Sequence, residues 1–334
     1  MDLLNLIDKK DWISFGENYN YKMTGFMGQA LFPVRKTNNI KLAMRQLVED
    51  GDLPVMAQVH ALDSEARIGD RPNYVELELE KFFIKEKLNQ GERIEYFKRD
   101  GLTETKDLID FIYRDAANLV ARVLVRTEVM AMELLSTGKI SINENNVKVT
   151  VDYKIPDKHK IVFQDWKTAS HDILGDLVQL QKIAKNDGKT IVRAITSDKI
   201  IGYMMKNTTI KSFWNNKDFP MTENRMLAWI EENYGIEFIT NDDVYKTSAL
   251  GTEKKRFFNE DTISFVSTRG ALGEGLFAPT PEELKLVDTR KSERMLVTIT
   301  QWETEDPATT WTKASAWYVP VLKDINGLFI AEVK

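Results

Sequence analysis

The most continuous pattern in the chain runs from Thr103 to Gly138, with no proline or glycine before Gly138 itself. Apolar residues recur at Leu108, Ile112, Ala116, Leu119, Val123, Met130 and Leu134. Their intervals of three, four and seven fit a helical period of about 3.6. Thr103 or Thr105 can accept hydrogen bonds from the first free amides, and Gly138 suits a left-handed turn past the last coil. The spacing predicts a helix over 103–138. About 33 helical residues rise about 50 Å, far beyond a common soluble helix. Such a rod needs a long partner surface, either a flanking sheet or a neighbouring subunit. A bundle or coiled-coil helix stays open as a reading, but no heptad repeat continues beyond it, which favours a spine inside a mixed fold.

A period of two takes over at 53–90. LPVMAQVHAL reads as extended, and DSEARIGDRPNY is polar and turn-rich, with Gly69 and Pro72. YVELELEKFFIKEKL then returns, alternating Val75, Leu77 and Leu79 against Glu76, Glu78 and Glu80. These runs predict a long two-stranded arm whose row of carboxylates faces water or a basic partner. A two-stranded ribbon is marginal alone, so its apolar face is expected on another surface; a hairpin within the main core is the alternative.

The remaining runs are shorter. ISINE and VKVTVDY flank Asn145-Asn146 as a hairpin, and Trp166 anchors a loop over 156–170. DILGDLVQLQKIAKN reads as a helix, IVRAITSDKIIGYMMKN as strand, capping turn and helix, and TENRMLAWIEENYG as a helix capped by Thr222. With strands IEFITN and TISFVST, residues 170–270 predict an α/β lobe. Three strands are expected at 295–303, 313–322 and 328–333, with Asn326-Gly327 as a hairpin turn. At the other end, Leu3, Leu4, Ile7, Trp12, Ile13 and Phe15 make residues 2–15 an apolar docking arm. GFMGQALFPVRKT reads as a turn into a loop or short strand, with Pro33 ending regular structure.

Composition changes this picture mainly by exclusion. The 334 residues suffice for two or three lobes. A formal charge of −5, from 46 basic and 51 acidic residues, argues against a dedicated nucleic-acid binder. The absence of cysteine rules out disulfides, thiolate metal sites and a cysteine nucleophile. MDLLNLIDKKDW does not read as a secretory signal, and no stretch approaches 18 apolar residues, so no membrane span is expected.

Candidate chemistry is sparse. His60, His159 and His171 form no H-E-x-x-H pair and read as lone structural or surface residues. Gly270, Gly273 and Gly275 match neither a phosphate loop nor a dinucleotide fingerprint, and read as a glycine-rich turn. Asp172 and Asp176 read as acidic residues on one solvated helix face. No catalytic, cofactor-binding or metal-binding residue is predicted, although an enzyme built on dispersed carboxylates stays open.

Two segments carry a family resemblance. One is the ending DPATTWTKASAWYVPVLKDINGLFIAEV, with Asp306-Pro307, Trp311-Thr312-Lys313-Ala314 and Pro320-Val321-Leu322. The other is DTISFVSTRGALGEGLFAPTPEE, with Gly273-Glu274 and Pro279-Thr280. Together with the order arm, loop, long helix, α/β lobe and terminal strands, they resemble the major capsid proteins of tailed bacteriophages, the gpE-like family typified by the phage lambda major head protein. The resemblance implies an α+β, HK97-like phage capsid fold. It implies an N-terminal arm and lead-in at 1–52 and an extended two-stranded loop at 53–90. A peripheral domain would take 91–169 and 281–334, including the spine helix, and an axial domain 170–280. It further implies a non-enzymatic protein without cofactors. Hexamers and pentamers would close an icosahedral head shell around double-stranded DNA, with the loop and arm reaching neighbouring capsomers. Expected partners are a separate scaffolding protein, a portal protein, a decoration protein as a further candidate, and packaged DNA by non-specific proximity, with no membrane. The location would be the virion, after assembly in the bacterial host cytoplasm. Lys81, Lys85 and Lys87 lie near the loop base, and none is matched to a crosslinking lysine. Another phage part, such as a tail or connector component, is the competing structural reading.

Overall fold

A computed structural model describes residues 26–47, 56, 74–90, 105–214, 220–285, 296–305 and 309–334. The predicted arm at 2–15, all but Met56 of LPVMAQVHAL, the polar tip with Gly69 and Pro72, and Asp306-Pro307 lie outside the described residues. In chain order the elements are α1 (Met27–Leu31), β1 (Val34–Lys36), β2 (Lys41–Leu47), β3 (Tyr74–Glu80), β4 (Phe82–Gln90), α2 (Thr105–Thr137), β5 (Lys139–Glu144), β6 (Val147–Asp152), β7 (Lys160–Phe163), α3 (Ile173–Asn186), β8 (Arg193–Thr196), α4 (Asp198–Lys206), α5 (Thr208–Ser212), α6 (Glu223–Tyr234), β9 (Glu237–Thr240), β10 (Val244–Lys246), β11 (Lys254–Arg256), β12 (Thr262–Val266), β13 (Gly273–Ala278), α7 (Pro281–Lys285), β14 (Thr298–Thr304), β15 (Thr309–Leu322) and β16 (Leu328–Val333). The fold is α+β, and it divides into two compact units.

The first unit falls within Met1–Leu42, Glu80–Ala131 and Gly273–Val321. Its sheet runs β1-β13-β15-β14, with β4 also paired to β15. β15 is the organising strand. It pairs antiparallel with β14 over 309–315 and with β4 over 310–318, so those two neighbours occupy its opposite edges. One face of β15 buries Ala314, Ala316 and Tyr318, the period of two that a covered face requires. The helix α2 buries Ala116, Leu119, Val120, Val123 and Leu124 in this unit, as its apolar spacing predicts.

The arm expected over 53–90 is divided differently. β3 pairs with β2, upstream of that range, in a two-stranded ribbon, while β4 enters the five-stranded sheet. A single residue, Lys81, separates the two strands. The return run thus contributes half to a ribbon and half to a core sheet. The glycine-rich turn is also revised, because Gly273 and Gly275 lie within β13. A Cβ at Gly273 would collide with the Val321 carbonyl oxygen, and one at Gly275 would sit 3.0 Å from the Phe32 oxygen. Close backbone approach, not a turn, calls for both glycines.

The second unit falls within Ala43–Leu79, Met132–Leu272 and Leu322–Lys334. Its mixed sheet runs β7-β16-β12-β8-β9. β16 lies antiparallel to β12 and parallel to β7, and β9 lies parallel to β8. Leu177 and Leu180 of α3, Ile200 and Met204 of α4, and Ile230 of α6 share one core with Phe265 of β12. Ser197 caps α4 by accepting from the Ile200 amide, as the Ser-Asp turn in AITSDK leads one to expect. Thr222 occupies the N-cap position of α6 without making a side-chain cap bond. The β5–β6 hairpin turns at Asn145 and Asn146, with φ of 49° and 64°, the left-handed pair that asparagine tolerates. Asn326-Gly327 is not a hairpin turn: a 3₁₀ turn over Ile325–Gly327 passes the chain from β15 in one sheet to β16 in the other. Asp324 accepts from the Asn326 amide at 3.0 Å, which shapes that turn locally. The strand expected at 328–333 in the peripheral set thereby joins the α/β sheet.

Candidate functional site

The most unusual side chain in the first unit is Lys81, at the root of the β2–β3 ribbon. It is 1% exposed, yet no carboxylate meets it among the described residues. Its Nζ donates to Thr37 Oγ1, to the Asn39 carbonyl at 2.7 Å and to the Phe277 carbonyl at 3.1 Å. Its own amide donates to the Ile40 carbonyl at 3.0 Å. One side chain thus ties the lead-in after β1, the ribbon root and β13 together. Three neutral acceptors satisfy three ammonium donors but supply no opposing charge. Burial therefore dominates and pushes the pKa down from 10.5 to about 8. The alternation of Val75, Leu77 and Leu79 continues to position 81 and puts it on the covered side. That was the available signal, and the charge of lysine obscured it.

A second anchor joins α1 to α2. Glu128 is 2% exposed, and its Oε1 accepts from the Gly28 amide at 2.8 Å. The buried phenol of Tyr318 belongs to the same unit; burial, then the Glu128 charge, holds its pKa well above 10.0. Short α7 is stapled to the sheet by Glu282, which accepts from Lys313 and Ser315, and by Glu283, which accepts from Lys36 at 2.6 Å. Burial is the largest single influence on the Glu282 carboxyl and works to raise its pKa, but the hydrogen bonds from Lys313, the backbone and Ser315, with the Lys313 charge, together outweigh it and leave the pKa below the ordinary value. Arg122 of α2 pairs with Glu86 of β4. These contacts build a frame, with no nucleophile set beside a base.

The second unit answers the remaining candidates. His159 is buried, stacked on Phe329 at 3.9 Å, and its Nε2 lies 2.7 Å from Asp187 Oδ2. Burial lowers its pKa from 6.5, against the opposing pull of Asp187. Asp172 and Asp176 do not share a solvated face. Asp172 is the N-cap of α3 and accepts from the Gly175 amide at 3.0 Å. Asp176 accepts from Trp166 Nε1 at 2.7 Å and faces His171 Nε2 at 2.8 Å, tying the anchored loop to the helix. His60 lies outside the described residues. Among the described residues, no group of three or more His, Cys, Asp or Glu is arranged to hold a metal ion, and no helix is long and apolar enough to cross a membrane.

Comparison with known proteins shows which family this frame belongs to. The family described as phage major capsid protein E matches residues 18–333. Among solved structures, the chain is similar to a prophage capsid protein of E. coli CFT073, at 15% identity and a TM-score of 0.63, covering 96% of this chain and 98% of that one. It is similar to a phage-related protein of Bordetella bronchiseptica RB50, at 10% identity and a TM-score of 0.58, covering 98% and 97%. It is also similar to the capsid of Myoviridae phage XM1, at 11% identity and a TM-score of 0.51, covering 96% and 95%. At such identities the likeness speaks for the fold, which is the HK97-type capsid fold. No curated protein matches the chain in sequence. The family match covers nearly the whole chain, and the chain belongs to the phage major capsid protein E family: it is a shell-forming capsid protein of the phage head.

Proposed function

We propose that this capsid protein assembles as hexamers and pentamers into an icosahedral head enclosing a double-stranded DNA genome. The observation that carries the reading is the family match over 18–333. The folded chain is consistent with it: hydrogen bonds and ion pairs frame both units, and none of the clusters described above forms a reaction centre.

In this reading the first unit is the peripheral domain and the second the axial domain. The boundaries expected from sequence, with 91–169 and 281–334 peripheral and 170–280 axial, shift because β7 and β16 pair into the sheet of β8, β9 and β12. The β2–β3 ribbon is the stem of the extended loop, and the N-terminal arm precedes α1. A separate scaffolding protein, a portal protein and a decoration protein are the partners this role calls for. Packaged DNA would lie near the shell without specific contacts, since a net charge of −5 gives no general attraction to phosphate. Assembly would take place in the bacterial host cytoplasm, and no catalytic role is proposed.

Electron microscopy of the purified protein, alone and with a scaffolding protein, tests this directly. Closed shells with fivefold and sixfold clusters are expected. Rings or tubes would favour a tail or connector component, and persistent monomers would overturn the reading.

A further inference from the structure

A net charge of −5 gives no general attraction to nucleic acid, yet one element of the second unit gathers positive charge that nothing answers. β10 and β11 form a two-stranded ribbon, and among the described residues no other strand joins it. Its root is fixed: Tyr245 packs on Phe257 with ring centroids 4.9 Å apart, and Phe257 and Phe258 are buried. From Lys246 to Leu250 and from Thr252 to Arg256 every residue is exposed. The Gly251 amide donates to the Ser248 carbonyl at 3.2 Å and closes the tip.

Strand register decides which charges share a face. Val244 lies opposite Arg256, Tyr245 opposite Lys255, and Lys246 opposite Lys254. Side chains alternate, so Lys246, Lys254 and Arg256 project from one face and Lys255 from the other. Arg256 is engaged by Asp242 and Glu260, and Lys255 lies 3.8 Å from Glu253. Among the described residues, neither Lys246 nor Lys254 makes an ion pair. Like charges directly opposite, with Cβ atoms about 4.5–5.5 Å apart, weaken a strand pair, and a two-stranded ribbon is marginal to begin with. The ribbon thus holds two ammonium groups together against its own stability, as a face completed by an external anion would.

The surroundings favour phosphate as that anion. Thr247, Ser248 and Thr252 add exposed hydroxyls near the pair. Ammonium and hydroxyl donors are the groups that contact a nucleic-acid backbone, and a two-stranded ribbon fits a major groove about 12 Å wide. Apart from Val244 and the tip residue Leu250, the exposed face has no large apolar side chain to form the desolvated centre of a protein interface. We propose that the Lys246–Lys254 face of this ribbon is a sequence-independent contact for the phosphate backbone of the enclosed double-stranded DNA. The inference rests on the DNA-enclosing reading and adds where the chain touches the backbone.

Fluorescence anisotropy of a short labelled duplex, titrated with the whole unassembled chain at several salt concentrations, tests it. Two phosphate contacts predict a log–log salt slope of about −1.8. Lys246→Glu/Lys254→Glu should flatten that slope and weaken binding about tenfold or more at low salt, while Lys246→Arg/Lys254→Arg should keep both. Lys182→Glu/Lys185→Glu, at exposed positions of α3, changes the net charge equally and should leave binding as it was. Lys246→Glu alone sets opposite charges across the rung, so it should keep or raise the thermal midpoint while losing affinity; a purely structural pair would lose stability instead. Unchanged affinity and slope in the double reversal, an equal loss in the α3 control, or tighter binding to a polyglutamate peptide than to the duplex would overturn the proposal, the last by assigning the face to an acidic polypeptide. Shells that form normally from a chain whose duplex binding ignores both lysines would overturn this contact alone. Failure of the unaltered chain to form shells would overturn the assembly reading.

Discussion

At the residue scale, two buried contacts have measurable consequences. A Cβ added at Gly28 would strike Glu128 Oε2 and stand 2.9 Å from the Ala131 Cβ. Relief means displacing the carboxylate that accepts the Gly28 amide. Gly28→Ala should therefore destabilise by about 1–3 kcal/mol in chemical denaturation. Lys81 makes the second case. Lys81→Met removes the donor to Thr37 and to two carbonyls, at a cost of about 1–3 kcal/mol for each acceptor left dry. Its titration has a definite sign. The folded chain gives up this proton near 8 and the unfolded chain near 10.5. The unfolded state therefore binds more protons between those values, and this group's contribution to stability rises as pH climbs from about 8 towards 10.5. Unfolding free energies of the native chain and Lys81→Met, measured across that window, should diverge with pH; parallel curves would show that the lysine is not desolvated.

Among elements, the end of α2 is the sharpest test. Gly138 has φ of 71°, its amide donates to Leu134 at 2.8 Å, and a Cβ there would stand 2.9 Å from Ile155 Cγ1. Gly138→Ala should cost about 1–3 kcal/mol, from left-handed strain and crowding together, and should show as a lowered thermal midpoint. The 33-residue helix was legible from its apolar spacing, and so were the β5–β6 turn and the cap of α4. Each depends on residues within a few positions of one another. The splitting of YVELELEKFFIKEKL between ribbon and sheet was not legible. Both halves have strand character, and what separates them is the partner each finds: β2 for one and β15 for the other.

For the molecule as a whole, the threading of the chain matters most. It passes between the two units after Leu42, Leu79, Ala131, Leu272 and Val321. Neither unit is one continuous segment, so local damage near the C-terminus reaches a sheet begun much earlier. Deleting residues 323–334 removes β16, the strand between β7 and β12. Buried Phe329, Ile330 and Ala331 go with it. The truncated chain should partition into the insoluble fraction and form no shells, measured by sedimentation after expression. A soluble, assembling truncation would mean the sheet closes without its second strand.

Much of this protein was settled by local order along the chain. Helix α2 follows from uninterrupted periodicity, the α/β lobe from alternating runs, and the lack of disulfides from composition, because each depends on neighbours in sequence. The role of a strand such as β4, β13 or β16 was decided only in three dimensions. Strand propensity says that a backbone will seek hydrogen bonds and leaves open with which other strand. Gly273 and Gly275 read as a turn until the approach of Val321 and Phe32 showed why a side chain could not fit. Lys81 read only as a lysine near the loop base until burial among three oxygen acceptors made it a pin. Hydrogen-bond partners and excluded volume belong to residues brought together from distant parts of the chain, and linear order does not contain them.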